Sequence, residues 1–268
     1  MIGIFDSGVG GLTVTKEILK KFPQYKIIYF GDTARLPYGT KGADFVKEYS
    51  GKITDWLLKK DAKIIVIACN TSSAWAAEYL RDLHKNTPIF DMISSAAKDV
   101  VGSTKNKKIG IIGTPGTIES RAWEKSIKAI DSSIKIYSEA CPLFVPLVEM
   151  GFVKGPVTEK VAQEYLKKIK AKNVDVLVLA CTHYPLLENV IKKIMGKKVK
   201  IINPAEAAAK EIKKFLEKNP EIEKEIKKGA AHEFYFSDKP YNLEKVTKLC
   251  LNKKINPVIK DPFNGTNL

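Results

Sequence analysis

The chain is laid out as short apolar runs separated by longer stretches with a helical period. Five runs stand out: Ile2 to Phe5, Lys26 to Phe30, Lys63 to Ile67, Lys108 to Ile112 and Val174 to Ala180. None of them alternates apolar with polar positions, and Val and Ile dominate. Such runs predict strands buried on both faces of a parallel sheet. Strand and helix patterns in alternation predict an α/β fold. Two of the runs end in one shared phrase. Lys63 to Thr71 reads KIIVIACNT, and Val174 to His183 reads VDVLVLACTH. In open α/β sheets the binding crevice lies beyond the carboxyl ends of the strands. Cys69 and Cys181 are therefore expected where ligands bind, each at the mouth of a helix.

Taken in order, the pattern predicts helices from the Gly10-Gly11 turn to about Phe22, over Ala43 to Lys59, and over about Ser72 to Lys85. A short strand follows at Ile89 to Met92. Between them, Thr33 to Gly42 reads as a loop with exposed backbone, because Pro37, Gly39 and Gly42 punctuate it. A second cycle opens at Lys108. Further strands are expected at Ile134 to Tyr137, Lys200 to Ile202 and Glu233 to Ser237, the last returning to the first half. Helices are expected at Thr158 to Lys170, at Leu186 to Met195 and from Ala205. Pro142 to Glu149 reads as an apolar connector, Lys210 to Lys228 as solvated surface, and the last dozen residues as a loose tail. Residues 2 and 109 lie 107 apart, and residues 69 and 181 lie 112 apart. A shared offset implies two related halves. The fold expected is two pseudo-symmetric α/β domains with parallel sheets and a site in the cleft between them. The first domain is assigned residues 1–95 plus 208–268, the second 96–207.

Composition narrows the function classes. The hydrophobic share of 44 % suits a globular chain. No apolar run approaches the roughly 18 residues of a membrane span, and the first residues lack the basic region of a signal peptide. The four cysteines, at 69, 141, 181 and 250, match no zinc spacing and contain no CxxC; a reducing cytoplasm fits them. The net charge of +15 invites a nucleic-acid reading. Yet nearly all of it is lysine, often beside glutamate, and Arg35, Arg81 and Arg121 are the only arginines. Arginine is the residue of bidentate phosphate and base recognition. The lysines read as solvated helix faces.

Three readings emerge. The turn Asp6-Ser7-Gly8-Val9-Gly10-Gly11-Leu12-Thr13 joins a strand to a helix, with Asp32 after the next strand, where a ribose-binding acid would sit. Thr13, however, stands where the third glycine of a dinucleotide fingerprint belongs. A nicotinamide enzyme thus stays open as one reading, and a basic nucleic-acid binder as another. The third rests on the cysteines. A helix N-terminus favours thiolate over thiol, and free cysteine titrates near about 8.5. A modest downward shift would supply a base at neutral pH. Two such groups on opposite faces of one carbon remove a proton from one side and return it on the other. Cys141 and Cys250 read as packing residues, His84 and His232 as surface histidines, and Asp32 as support for its own loop.

Four segments carry a resemblance. Asp6 to Leu12, Gly31-Asp32-Thr33-Ala34-Arg35-x-Pro37-Tyr38-Gly39, Ala68 to Thr71 and Ala180 to Leu186 resemble, in order, the signatures of the bacterial glutamate racemases, within the aspartate/glutamate racemase family. Gly113-Thr114-x-x-Thr117 and Pro142 to Glu149 are similar too. The resemblance implies a cofactor-independent racemase with no metal, interconverting L- and D-glutamate and supplying the D-enantiomer for peptidoglycan. It would be a cytoplasmic homodimer with no nucleic-acid or membrane partner. It implies that Cys69 takes the α-proton of D-glutamate and Cys181 that of L-glutamate. Asp6 and His183 assist the thiols or the substrate ammonium, and Glu149 orients His183. Asn70, Thr71 and Thr182 are assigned to the α-carboxylate. Ser7, Pro37, Tyr38 and Gly39, with Thr114 and Thr117, complete the substrate-binding set. An aspartate racemase on the same fold is the near rival.

Overall fold

The computed structural model describes residues 1–229 and 231–263. Ten strands are present among them: β1 (Ile2–Asp6), β2 (Ile27–Gly31), β3 (Ile64–Ile67), β4 (Ile89–Asp91), β5 (Lys108–Gly113), β6 (Lys135–Ala140), β7 (Val176–Ala180), β8 (Lys200–Ile202), β9 (Glu233–Phe236) and β10 (Val258–Ile259). They form two sheets, ordered β10-β9-β2-β1-β3-β4 and β6-β5-β7-β8. Every pairing within them is parallel. The order β2-β1-β3-β4 recurs as β6-β5-β7-β8, so the second sheet repeats the first four strands of the chain. β1 and β5 are equivalent central strands; β3, which precedes Cys69, is equivalent to β7, which precedes Cys181.

Each central strand is zero to one per cent exposed at its apolar positions, which is why these runs show no alternation. Two apolar clusters cover the faces of the first sheet, built around Ile2, Ile4 and Tyr29 on one side and Phe5, Ile28 and Phe30 on the other. Two more cover the second sheet, around Leu177 and Leu179 and around Ile111 and Val178. Burying one such side chain contributes roughly 1.5–3 kcal/mol, so the sheets are rigid platforms for the loops at their carboxyl ends.

Two helices link the sheets. Met92–Val101 is capped by Asp91, whose carboxylate accepts from the N–H of Ile93 (2.8 Å) and Ser94 (3.0 Å). Pro204–Lys218 is capped by Asn203, with proline at its first position. Met92 packs in the first sheet's core, while Ile93, Ala96 and Val100 pack in the second's. Ala205, Ala208 and Ile212 face the first and Ala207 the second. The expected boundaries at 95/96 and 207/208 therefore fall inside helices that both cores share.

Several expectations change. The connector at Pro142 to Glu149 contains a helix, Phe144–Glu149; Pro146 sits in its first turn, where no backbone donor is needed. Helix Leu243–Leu251 has no counterpart in the expected pattern. Lys210 to Lys228 is not wholly solvated, because Ile212, Leu216 and Ile226 are buried. The tail is anchored through residue 263. β10 pairs with β9, Asp261 accepts from Arg35 at 2.8 Å, and Phe263 packs on Phe30. Residues 264–268 of that tail lie outside the described residues.

Candidate active site

In a sheet ordered 2-1-3, the connections leave the central strand in opposite directions, and a crevice opens beyond its end. The chain places Asp6 and Ser7 after β1 and Cys69, Asn70 and Thr71 after β3. The second sheet supplies Thr114 and Thr117 after β5, and Cys181, Thr182 and His183 after β7. The two crevices face each other and enclose one small cavity. Both Cys69 and Cys181 line it, and both are free thiols.

Ser7, Asn70 and Thr71 line the cavity from the first half, and Thr114, Thr182 and His183 from the second. The loop after β2 adds Pro37, Tyr38 and Gly39. Three assigned residues stand behind this lining. Asp6 is fully buried, and its carboxylate accepts from Gly8 N–H (3.0 Å) and the Thr182 hydroxyl (3.3 Å). Thr117 closes a ring of hydroxyls, 2.9 Å from Thr114 Oγ1 and 3.1 Å from Thr71 Oγ1, while Thr71 and Thr114 are 2.9 Å apart. Glu149 Oε1 lies 2.5 Å from His183 Nε2. Leu36, Val145 and Ala180 also line the cavity and were not among the expected residues. All three lie inside the segments that carry the resemblance, Val145 on the helix read as a connector.

The electrostatics separate the two thiols. Cys69 Sγ accepts from Ser72 N–H (3.5 Å) at the start of helix Asn70–Leu83 and lies 3.8 Å from Ser7 Oγ. Even so, burial and then the Asp6 charge push the Cys69 thiol up to about 11. The expected downward shift does not occur there, because desolvation of a fully buried thiolate outweighs one helix N-terminus. Cys181 Sγ lies 3.9 Å from His183 Nδ1. Burial works against a charged His183, yet its hydrogen bond to Cys181 and the Glu149 carboxylate hold its pKa well above the usual histidine value. The surroundings of His183 thus favour its charged form. Burial raises the Asp6 carboxyl, with His183 opposing it.

The halves touch closely. A Cβ at Gly39 would come 2.3 Å from Thr114 Cβ, and one at Gly10 would come 2.5 Å from His183 Nδ1 and Thr182 Oγ1. Only glycine permits this approach. It also bears on the dinucleotide reading, since the glycine-rich turn abuts the other half instead of open space. Asp32 faces inward, accepting from Arg35 (2.7 Å), Tyr38 (2.6 Å) and Ser237 (2.7 Å); it braces the loop and offers no oxygen to a ribose.

A family model described as Asp/Glu/Hydantoin racemase matches residues 2–212. The chain belongs to the Asp/Glu/Hydantoin racemase family. Relatives agree. The chain is 42 % identical over 257 residues to glutamate racemase 2 of Caldanaerobacter subterraneus subsp. tengcongensis, covering 96 % of this chain and 95 % of that one. It is 43 % identical to the glutamate racemase of Geobacter metallireducens, covering 96 % and 94 %. Among solved structures, the glutamate racemase of Francisella tularensis in complex with D-glutamate superposes with a TM-score of 0.90 at 36 % identity, covering 98 % and 97 %.

The chain is thus an amino-acid racemase, and so an isomerase, and its arginines are engaged in ion pairs. Arg35 pairs with Asp32 and Asp261, Arg81 with Asp91, and Arg121 with Glu124. Cys141 and Cys250 are buried in the cores of this racemase. The two remaining histidines are less ordinary than expected. His232 Nδ1 accepts from Ile27 N–H (3.3 Å), and burial lowers its pKa. His84 is largely covered and lies 3.4 Å from Asp55. Among the described residues, no helix is long and apolar enough to cross a membrane.

Proposed function

We propose that this racemase interconverts L- and D-glutamate with two cysteines as the acid and base, and that the D-glutamate serves peptidoglycan synthesis in a bacterial cytoplasm. A homodimer belongs to the same reading. The observation that carries it is the pair of unlinked thiols, Cys69 and Cys181, lining one cavity from equivalent positions of two repeated sheets. The names of the relatives and the D-glutamate complex of the Francisella protein support the substrate.

In the L-to-D direction, Cys181 thiolate takes the α-proton, and the Cys69 thiol gives its own proton to the opposite face of the carbanion. The product leaves with Cys181 as thiol and Cys69 as thiolate, the state that processes D-glutamate. With its pKa pushed to about 11, Cys69 rests as the thiol, the acid this direction needs. The imidazolium 3.9 Å from Cys181 Sγ is the counter-charge a thiolate there would use. The α-proton is far less acidic than a thiol, so the carbanion needs fixed donors around its carboxylate. Asn70, Thr71 and Thr182 are assigned there; one such donor is worth about 2.7–4 kcal/mol in a dry site. Asp6 is placed for the substrate ammonium, and Ser7 with the Tyr38-Gly39 backbone for the distal carboxylate.

The cavity is only about 20 Å³, room for about one water molecule. Glutamate therefore enters by separation of the halves, and their return excludes solvent around the reacting carbon. Circular dichroism tests the substrate assignment directly. The signal of L-glutamate should decay to zero without added cofactor, with L-aspartate about 10- to 200-fold slower, the cost of misplacing one methylene. Faster loss of L-aspartate would assign the enzyme to aspartate.

A further inference from the structure

Asn70 is one of the donors that the proposed mechanism needs, and something must decide which end of its amide faces the substrate. The two ends are opposite in character: the oxygen accepts, and the nitrogen donates twice. Facing a carboxylate, the oxygen repels and the nitrogen binds. Trp123 lies behind it. Its ring is 2 % exposed and packs in the core of the second sheet with Ile127 and Val178. Its indole Nε1 donates to Asn70 Oδ1 at 3.3 Å, a buried contact between helix Ala122–Ile130 and the start of helix Asn70–Leu83.

An indole N–H has no acceptor capacity. The amide oxygen must therefore turn toward Trp123, and the NH2 group is left for the cavity that Asn70 lines. We propose that Trp123 is a positioning residue for racemisation, fixing the Asn70 amide with its donors toward the substrate carboxylate. The proposal rests on the reading that Asn70 binds substrate. It also ties orientation to closure, because the two residues belong to opposite halves. Separation of the halves frees the amide, and their return sets it.

The threonine hydroxyls of the site do not do this. The Thr71, Thr114 and Thr117 hydroxyls are mutually paired, and a hydroxyl both donates and accepts, so it selects neither end. Without the indole N–H, the amide has no reason to keep its nitrogen toward the cavity, and a rotated Asn70 presents an acceptor to an anion.

A double-mutant cycle tests this. Trp123→Phe keeps an apolar ring but removes the donor, and Asn70→Ala removes the amide. Trp123→Phe should lower kcat/KM for both enantiomers about 10- to 100-fold, the usual range for a hydrogen bond to a charged group. In the Asn70→Ala background, the same change should cost less than about twofold. A merely structural role for the tryptophan would lower activity by the same factor in both backgrounds, and that result would overturn the proposal. Full activity of Trp123→Phe would overturn it too, while leaving Asn70 in place if Asn70→Ala is impaired. Full activity of Asn70→Ala would remove Asn70 from the substrate site and end both readings. Unfolding midpoints of the four proteins identify any loss of folded enzyme, and kcat/KM is then taken per folded molecule.

Discussion

Cys69→Ser and Cys181→Ser are each expected to abolish racemisation, by at least about 10³-fold, because each removes one of two obligatory proton-transfer groups. The informative difference lies in a half-reaction. A glutamate analogue with a leaving group on the β-carbon needs only one base, since loss of the leaving group replaces the second proton transfer. Cys69→Ser keeps Cys181 and should eliminate from the L-analogue. Cys181→Ser keeps Cys69 and should eliminate from the D-analogue. Product release measured for each enantiomer reads this directly. The same enantiomer preference in both variants would show that the thiols do not address opposite faces. The geometry behind the prediction is the equivalence of β3 and β7, whose ends carry the two cysteines into one cavity from opposing sheets.

The second large effect concerns charge. Glu149 lies 2.5 Å from His183 Nε2 and is one reason the charged form of His183 is favoured. Glu149→Gln keeps a hydrogen-bond partner but removes that charge. The His183 pKa then falls, so the cation beside Cys181 is lost at a lower pH than in the parent enzyme. Activity should fall about 10- to 100-fold near pH 8, and the deficit should shrink as pH drops toward 6, where the histidine regains its proton. The sign is fixed by the raised pKa. A group held protonated by its fold contributes below its unfolded value, about 6.5, and ceases to contribute as pH rises through its folded value. A deficit that instead grew toward low pH would mean that neutral His183 is the working form.

The strands were legible because parallel strands buried on both faces leave unbroken Val- and Ile-rich runs. The duplicated Ala-Cys phrase marked equivalent strand ends in two halves, and the sheet orders repeat accordingly. Helix Met92–Val101 was not legible for a physical reason. Its buried stripe is Met92, Ile93, Ala96, Ala97 and Val100, short and partly made of alanine, and its first residue is taken up by the strand pattern at Ile89 to Met92. Helix Phe144–Glu149 hid behind Pro146, which reads as a breaker unless its place in the first turn is known. The C-terminal helix Leu243–Leu251 interleaves lysines with Val246 and Cys250, and its buried face needs the first core to be recognised.

The site was legible in its residue types and less so in its electrostatics. The spacing of the motifs shows that a cysteine opens a helix. It does not show that the thiol is fully covered with a buried carboxylate as neighbour, and those two facts reverse the shift at Cys69. Trp123 carried no signal at all, since a buried tryptophan on an amphipathic helix is indistinguishable in sequence from packing. Asp32 was ambiguous for the opposite reason, as its position suits both a ribose and a loop. Only its three hydrogen-bond donors decide between them.

The most direct test of two facing thiols is racemisation in heavy water, stopped at early conversion, with the α-hydrogen of both enantiomers read by mass spectrometry. Starting from either enantiomer, the account predicts deuterium in the product and almost none in the recovered substrate, because one sulfur removes protium while the other delivers deuterium. Early deuterium in the recovered substrate at the same rate as in the product would indicate a single base serving both faces, and would contradict the account.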